Sequence, residues 1–322
     1  MGPGLPGRDL APSTPDLWKT DLTPCISVGN ISMGGRGKTP VVIHLARLLI
    51  DAGERPAVLS RGYGRRLVEP GVVVVSDGAH VTADLDRSGD EPLLIARSVP
   101  GTVVLVCEQR AIARTLAVRA FGATVVLLDD GFQHRQVTRD VDLVLVTPDD
   151  LQDRRMPFGR LREPVSALSR ADALVSPNGS AAAIAAAFPA LPTFSLNRTL
   201  GEPVSIEPER PWTGGRGPVV AVAGIAVPAR FEAALTAAGW TVSRLLIFAD
   251  HHRYGRRDLD HVAAAVRETG ATGVVTTDKD AIRLRWMRPL PFACAAVPLD
   301  VSIEPSAVFR PWLFDRLREA RQ

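Results

Sequence analysis

Lysine is almost missing from this chain. Of 38 basic residues three are Lys, at positions 19, 38 and 279, and the rest are Arg. A chain that otherwise writes positive charge as Arg has kept Lys at two motif-like places, Lys38 and Lys279, and at Lys38 a compact ammonium on a flexible stem suits a phosphate loop. Cysteine is scarce too. Cys25, Cys107 and Cys294 lie far apart with no CxxC spacing, which argues against a disulfide framework or a cysteine zinc site and suits a reducing, cytosolic compartment. No apolar run approaches the ~18 residues of a membrane span. The start, MGPGLPGRDLAPSTPDLW, lacks the basic and apolar segments of a signal peptide. The expectation is a cytoplasmic protein without a transmembrane helix. A net charge of +3 makes no electrostatic case for a nucleic-acid partner, and no protein partner is expected. With 46% hydrophobic and 23% charged residues the composition is that of a globular chain. A length of 322 residues suggests two domains, because single cores rarely grow past about 250–300 residues.

The most informative stretch is SMGGRGKTP, Ser32 to Pro40. It lies between the apolar run from Cys25 to Val28 and an amphipathic helix pattern at Val41, Val42, Leu45, Leu48 and Leu49. That strand, loop, helix context is what a phosphate-binding loop requires. Ser32 stands where the usual pattern has its first Gly. Gly34, Gly35 and Gly37 permit the tight turn that converges backbone N–H groups on phosphate oxygens. In this reading Ser32, Met33, Gly34, Gly35, Arg36, Gly37, Lys38 and Thr39 bind the nucleotide. Lys38 meets the β/γ-phosphates, Thr39 offers its hydroxyl to Mg²⁺, and the following helix contributes its dipole.

Carboxylates recur where such a loop needs them. The run TVVLL ends in Asp129 and Asp130, as a central parallel strand buried on both faces would deliver carboxylates to a metal. Asp90 and Glu91 open a helix pattern, where they either favour the dipole or serve chemistry. RGYGRR, Arg61 to Arg66, follows a strand and reads equally as a ligand loop or a solvated one. The basic segment Arg154 to Arg170 suits an acidic ligand or a solvated surface. After extended pieces at Thr193–Leu196 and Val204–Ile206, an α/β pattern restarts at Val219. It carries Asp250, His251 and His252 after one strand and Lys279 after its expected last strand, Gly273–Thr277.

These residues fall in stretches that together resemble the tetraacyldisaccharide 4′-kinases, phosphate-loop kinases acting on the glucosamine disaccharide precursor of lipid A. The stretches are SVGNISMGGRGKTP, LSRGYGR, GDEPLLIAR, LLDDGFQHRQVTRDVDLVLV, PFGRLREP, VAGIAVPARF, FADHH and TTDKDAIRL, in order from Ser27 to Leu284. The resemblance implies ATP and Mg²⁺ as cofactors and a lipid-linked disaccharide as acceptor. It further implies peripheral contact with the cytoplasmic face of the inner membrane. Asp90 is then the general base, partnered by His251, and Lys38 stabilises the transferred phosphoryl group. Thr39, Glu91 and one of Asp129 and Asp130 serve the metal, and Arg61, Gln133 and His134 lie around phosphates or sugar. The alternatives are a phosphate-loop kinase for another sugar or lipid acceptor, and a nucleotide-binding module without catalysis.

The expected architecture is α/β: a phosphate-loop NTPase-like, mostly parallel sheet with helices on both faces, plus a second, smaller α/β domain. Residues 1–20 are expected as a flexible tail, 21–192 as the kinase core and 193–217 as a short extended linker. Residues 218–322 are expected as the smaller domain closing over the site, with a C-terminal segment free to return to the core.

Overall fold

The computed structural model describes residues 22–134 and 136–322; the expected tail over residues 1–20 lies outside them. β1 (Cys25–Asn30) feeds α1 (Lys38–Asp51). The strands β2 (Pro56–Ser60), β3 (Val73–Asp77), β4 (Val103–Val106) and β5 (Val125–Asp129) then alternate with α2 (Leu85–Ser88), α3 (Asp90–Ser98) and α4 (Arg110–Phe121). β6 (Val141–Leu145), α5 (Pro148–Gln152), β7 (Ala173–Pro177), α6 (Ala181–Ala187) and β8 (Thr193–Leu200) follow. The remainder is β9 (Val204–Ser205), β10 (Pro218–Ala223), α7 (Pro228–Ala237), β11 (Thr241–Ile247), α8 (Arg256–Thr269), β12 (Gly273–Thr277), α9 (Asp278–Leu284), β13 (Cys294–Val297), β14 (Leu299–Glu304) and α10 (Ser306–Glu319).

Two sheets result. The larger has nine strands in the order β14-β8-β7-β6-β1-β5-β2-β4-β3, parallel except for the edge pairs β3 with β4 and β14 with β8. The smaller has five in the order β11-β10-β12-β13-β9, with only β9 antiparallel. Apolar strands explain the burial. In β1, Ile26 and Val28 face one layer with α1, α3 and α10, while Cys25 faces the other with α4, because successive side chains point to opposite faces. The smaller sheet is likewise covered on both faces, by α8 and α9 on one and by α7 on the other.

Two differences from the sequence reading matter for the site. Residues 193–217, expected as a linker, are divided between the sheets: β8 pairs with β7 and β14, and β9 with β13. Gly273–Thr277 is not the last strand of the smaller sheet, since β13 pairs alongside it. The chain then crosses back, so that β14 and α10 belong to the larger unit. α9 sits at the join. Its Ile282 packs in the core of the larger unit, and its Ala281 and Leu284 pack in that of the smaller.

Candidate active site

The C-terminal edge of the central strands collects the loop residues, as open α/β sheets do. β1 runs into the loop at Asn30, and in the β1–β5 pair Val28 lies opposite Asp129. The first N–H groups of α1, at Lys38 and Thr39, have no partner within the helix and lie at its positive end. Gly37 caps that helix with φ 90°, and a Cβ there would lie 3.2 Å from the Arg198 guanidinium. Gly37→Ala is therefore expected to destabilise the protein by at least about 1 kcal/mol and to weaken nucleotide binding. Chemical denaturation and nucleotide titration check both effects.

Ser32, in place of the expected glycine, is fully buried. Its Oγ accepts from Arg36 Nε at 3.0 Å and from Asn30 Nδ2 at 3.3 Å. Arg36 is buried too and pairs with Asp150. Asp150 is itself fixed at the start of α5 by accepting from the Thr147 backbone N–H at 2.9 Å. The loop is thus pinned from beneath through Ser32, Arg36 and Asp150. Met33 is half exposed, and its N–H donates to the Arg160 carbonyl at 2.8 Å.

Lys38 Nζ donates to Asn30 Oδ1 at 2.9 Å and stands 3.4 Å from Asp130 Oδ1. The two aspartates after β5 have different surroundings. Arg162 grips Asp130 with two hydrogen bonds of 2.9 Å. Although burial opposes ionisation, Arg162 and Lys38 hold the Asp130 carboxyl below its usual range. Asp129 has no such fork, and its buried Oδ1 has no hydrogen-bond partner among the described residues. Burial first, then the charges of Asp130 and Glu91, push its pKa up to about 7. A buried carboxylate oxygen left unpaired among other carboxylates fits a cation ligand.

Asp90 and Glu91 begin α3. Gly89, with φ 83°, makes the entry: a Cβ there would lie 2.8 Å from the Tyr63 carbonyl oxygen. Asp90 is buried and accepts on both oxygens, from Arg283 Nε at 2.8 Å on Oδ1 and from Arg283 and His251 Nδ1 on Oδ2. The Asp90–His251 separation is 2.6 Å. Burial disfavours the Asp90 charge, but the bonds from His251 and Arg283 outweigh it and hold the carboxyl far below its ordinary value. Lys279 Nζ lies 3.1 Å from His251 Nε2, 2.9 Å from Glu91 Oε1 and 3.5 Å from Asp250 Oδ1. Ligand atoms of Asp90, Glu91 and His251 come within 4.8 Å of one another. With Arg283 and Lys279 among them, they form an ion-paired network in which the ring can present one nitrogen as donor and the other as acceptor.

Of the remaining expected residues, Gln133 donates to the Asn30 carbonyl at 2.9 Å and to Glu163 at 3.1 Å. His134 Nε2 lies 2.7 Å from Arg110. Burial, then the charges of Arg110 and Arg61, lower the His134 pKa, so a neutral ring stands in a basic corner. Arg61 is exposed at the end of β2. The sequence reading did not single out Asn30, Asp150, Arg162 or Arg283 for the site.

The family model described as tetraacyldisaccharide-1-P 4′-kinase matches residues 18–318. The tetraacyldisaccharide 4′-kinase of Syntrophus aciditrophicus is 38% identical, the alignment covering 94% of this chain and 87% of that protein. That of Nitrobacter winogradskyi is 41% identical over 93% and 87%. A crystal structure of an "apo" form of LpxK from Aquifex aeolicus in complex with ATP superposes with a TM-score of 0.73 and 31% identity. It covers 92% of this chain and 89% of its own.

Proposed function

The chain belongs to the tetraacyldisaccharide 4′-kinase family, and on that premise we propose that it transfers the γ-phosphoryl group of ATP to the 4′-hydroxyl of a tetraacyl glucosamine disaccharide 1-phosphate. The observation that carries the reading is the 2.6 Å contact of Asp90 with His251. It joins a carboxylate at the sheet edge of the larger unit to a base from the smaller one. The phosphate loop belongs to the same charge network, since Asp129 feels both Glu91 and Lys38.

In this mechanism the loop N–H groups cradle the phosphates, and Lys38 leaves Asn30 to follow the charge developing on the transferred group. Thr39, Asp129 and Glu91 would hold Mg²⁺, which when bound neutralises phosphate oxygens. Asp130, already gripped by Arg162, positions Lys38. We assign the proton to the dyad rather than to Asp90 alone. Both Asp90 oxygens are engaged, so Asp90 orients the ring by accepting Nδ1–H, and Nε2 takes the acceptor's proton as the hydroxyl oxygen attacks phosphorus. Lys279 then gives up its contact with Nε2 to the substrate. The smaller unit thereby completes the site.

The acceptor side is framed by exposed apolar side chains set among arginines. Tyr63, 75% exposed, has its ring centroid 6.0 Å from that of His251. Leu67 and Val68, four and five residues on, and Phe158 at 83% exposure, two residues before the Arg160 whose carbonyl meets Met33, are also open to solvent. No helix among the described residues is long and apolar enough to cross a membrane. Attachment to the cytoplasmic face of the inner membrane would rest on such loops. Sedimentation with anionic vesicles should therefore fall as salt rises from low to high. Salt-independent sedimentation, or none at low salt, would remove this reading.

The deciding assay is transfer of label from γ-labelled ATP to the tetraacyl disaccharide 1-phosphate, with and without Mg²⁺. Tight ATP binding without transfer would replace the kinase reading by a binding module. Lys38→Ala is expected to lower kcat/KM by about 10²-fold or more. Unchanged kinetics would show that the nucleotide binds elsewhere.

A further inference from the structure

A cavity of about 500 Å³ opens where the two units meet. It lies along the helices that carry the active site, farther from their functional ends. Ile43 and Arg47 line it from α1, five and nine residues beyond Lys38, and Leu94 and Arg97 from α3, four and seven beyond Asp90. At 1.5 Å per helical residue these positions are about 6 to 14 Å along the axes. From α9 come Asp278, Ala281 and Ile282, and from the turn just beyond it Arg285, while Lys279 and Arg283 on α9 reach the dyad. The cavity also touches both chain crossings between the sheets, at Val204 and at Pro298–Leu299.

Its charges are not balanced internally. Arg47 is taken up by Asp300 at 3.1 Å and by the Ser98 carbonyl at 3.3 Å. Asp278 accepts the Leu299 N–H at 3.2 Å; burial raises its pKa, and its charge favours that of Arg285 without an ion pair between them. The guanidiniums of Arg97 and Arg285 have no hydrogen-bond or ion-pair partner among the described residues. Burial, then the charges of Arg285 and Arg288, hold Arg97 below the ordinary arginine value. Arg97 and Arg285, from separate units, face one space in which three arginines outnumber the carboxylates of Asp278 and Asp300. The planar guanidinium forks match tetrahedral phosphate oxygens. The volume exceeds that of phosphate alone, and Ile43, Leu94 and Ile282 offer an apolar wall.

We propose that this cavity binds a small phosphorylated molecule, its phosphate held between Arg97 of the larger unit and Arg285 of the smaller, and its organic body against Ile43, Leu94 and Ile282. Bound there, the molecule ties α3 to α9 and favours the arrangement in which Arg283 and His251 meet Asp90. It therefore couples occupancy of the cavity to assembly of the dyad.

Inorganic pyrophosphate is the probe, titrated calorimetrically at low salt into the full chain carrying Lys38→Ala, which weakens the competing phosphate loop. One site is expected, weakened about tenfold or more by either Arg97→Gln or Arg285→Gln in that background. Thermal melting confirms folding. Should Arg285→Gln fail to fold, Arg97→Gln decides, because Arg97 is exposed at the cavity mouth. Absence of pyrophosphate binding to the Lys38→Ala chain, or binding that Arg97→Gln leaves unchanged, overturns the proposal.

Discussion

His251→Ala is expected to lower kcat by about 10²–10⁴-fold while the affinity for ATP stays near its original value. The imidazole is held by Asp90 and Lys279 and makes no contact with the phosphate loop. Asp90→Ala should fall at least as far, since the ring loses the acceptor that orients Nδ1 and Arg283 keeps only longer contacts, among them that with Asp280. If the two act as one device, the double variant will be little worse than the poorer single one. Steady-state kinetics with separate nucleotide titrations distinguish this from general damage. Full activity in either variant would take the proton transfer away from the dyad. A further consequence concerns pH. The folded Asp90 carboxyl titrates far below its unfolded value. The stability it contributes is therefore complete above about pH 4 and lost as pH falls further. Arg283→Gln should diminish that acid-side loss, a change readable in melting temperatures between pH 3 and 5.

How much of this was legible in the sequence follows from the range of each signal. The phosphate loop, the buried β5 run ending at Asp129, and the His251 cluster are local patterns, and each occupies a sheet edge as its pattern requires. Why Ser32 stands in the loop was not legible. Its partner Arg36 reaches Asp150, 114 residues away, and nothing near Ser32 announces that contact. Arg283 lies just after a segment that reads from the sequence as a charged turn following a strand. Only the packing of α3 against α9 brings it to Asp90, 193 residues earlier. The rarity of Lys279 and the family-like stretch TTDKDAIRL were the local hints that this segment mattered. β8 was legible only as an extended piece at Thr193–Leu196, and β14, at the sheet edge, escaped because most of its side chains are only partly buried. Their alternation then looks the same as that of an extended connector. β13 is only four residues long and follows a proline-rich stretch, too short a run for periodicity to register.

Asp129→Asn is expected to move stability and activity in opposite directions. In protein stripped of divalent cations, the wild-type carboxyl protonates near pH 7 when folded but near its ordinary value when unfolded. Between about pH 4 and 7 the folded state retains a proton that the unfolded state has lost. Stability therefore falls as pH rises through that window and is lowest above it. The amide carries no charge to bury, so the variant should be more stable than wild type at pH 8, by roughly 1–3 kcal/mol, and nearly equal at pH 4. The buried Oδ1 that makes the carboxylate costly in the apo protein is the atom available to a cation. Saturating Mg²⁺ and ATP should therefore raise the wild-type melting temperature much more than that of the variant. Phosphoryl transfer should drop by about 10²-fold or more. Melting curves at pH 4 and 8, with chelator and then with Mg²⁺ and ATP, separate the two effects. A variant that melts lower than wild type at pH 8 in chelator would mean that Asp129 is already satisfied within the folded chain. The cation would then be held by other groups.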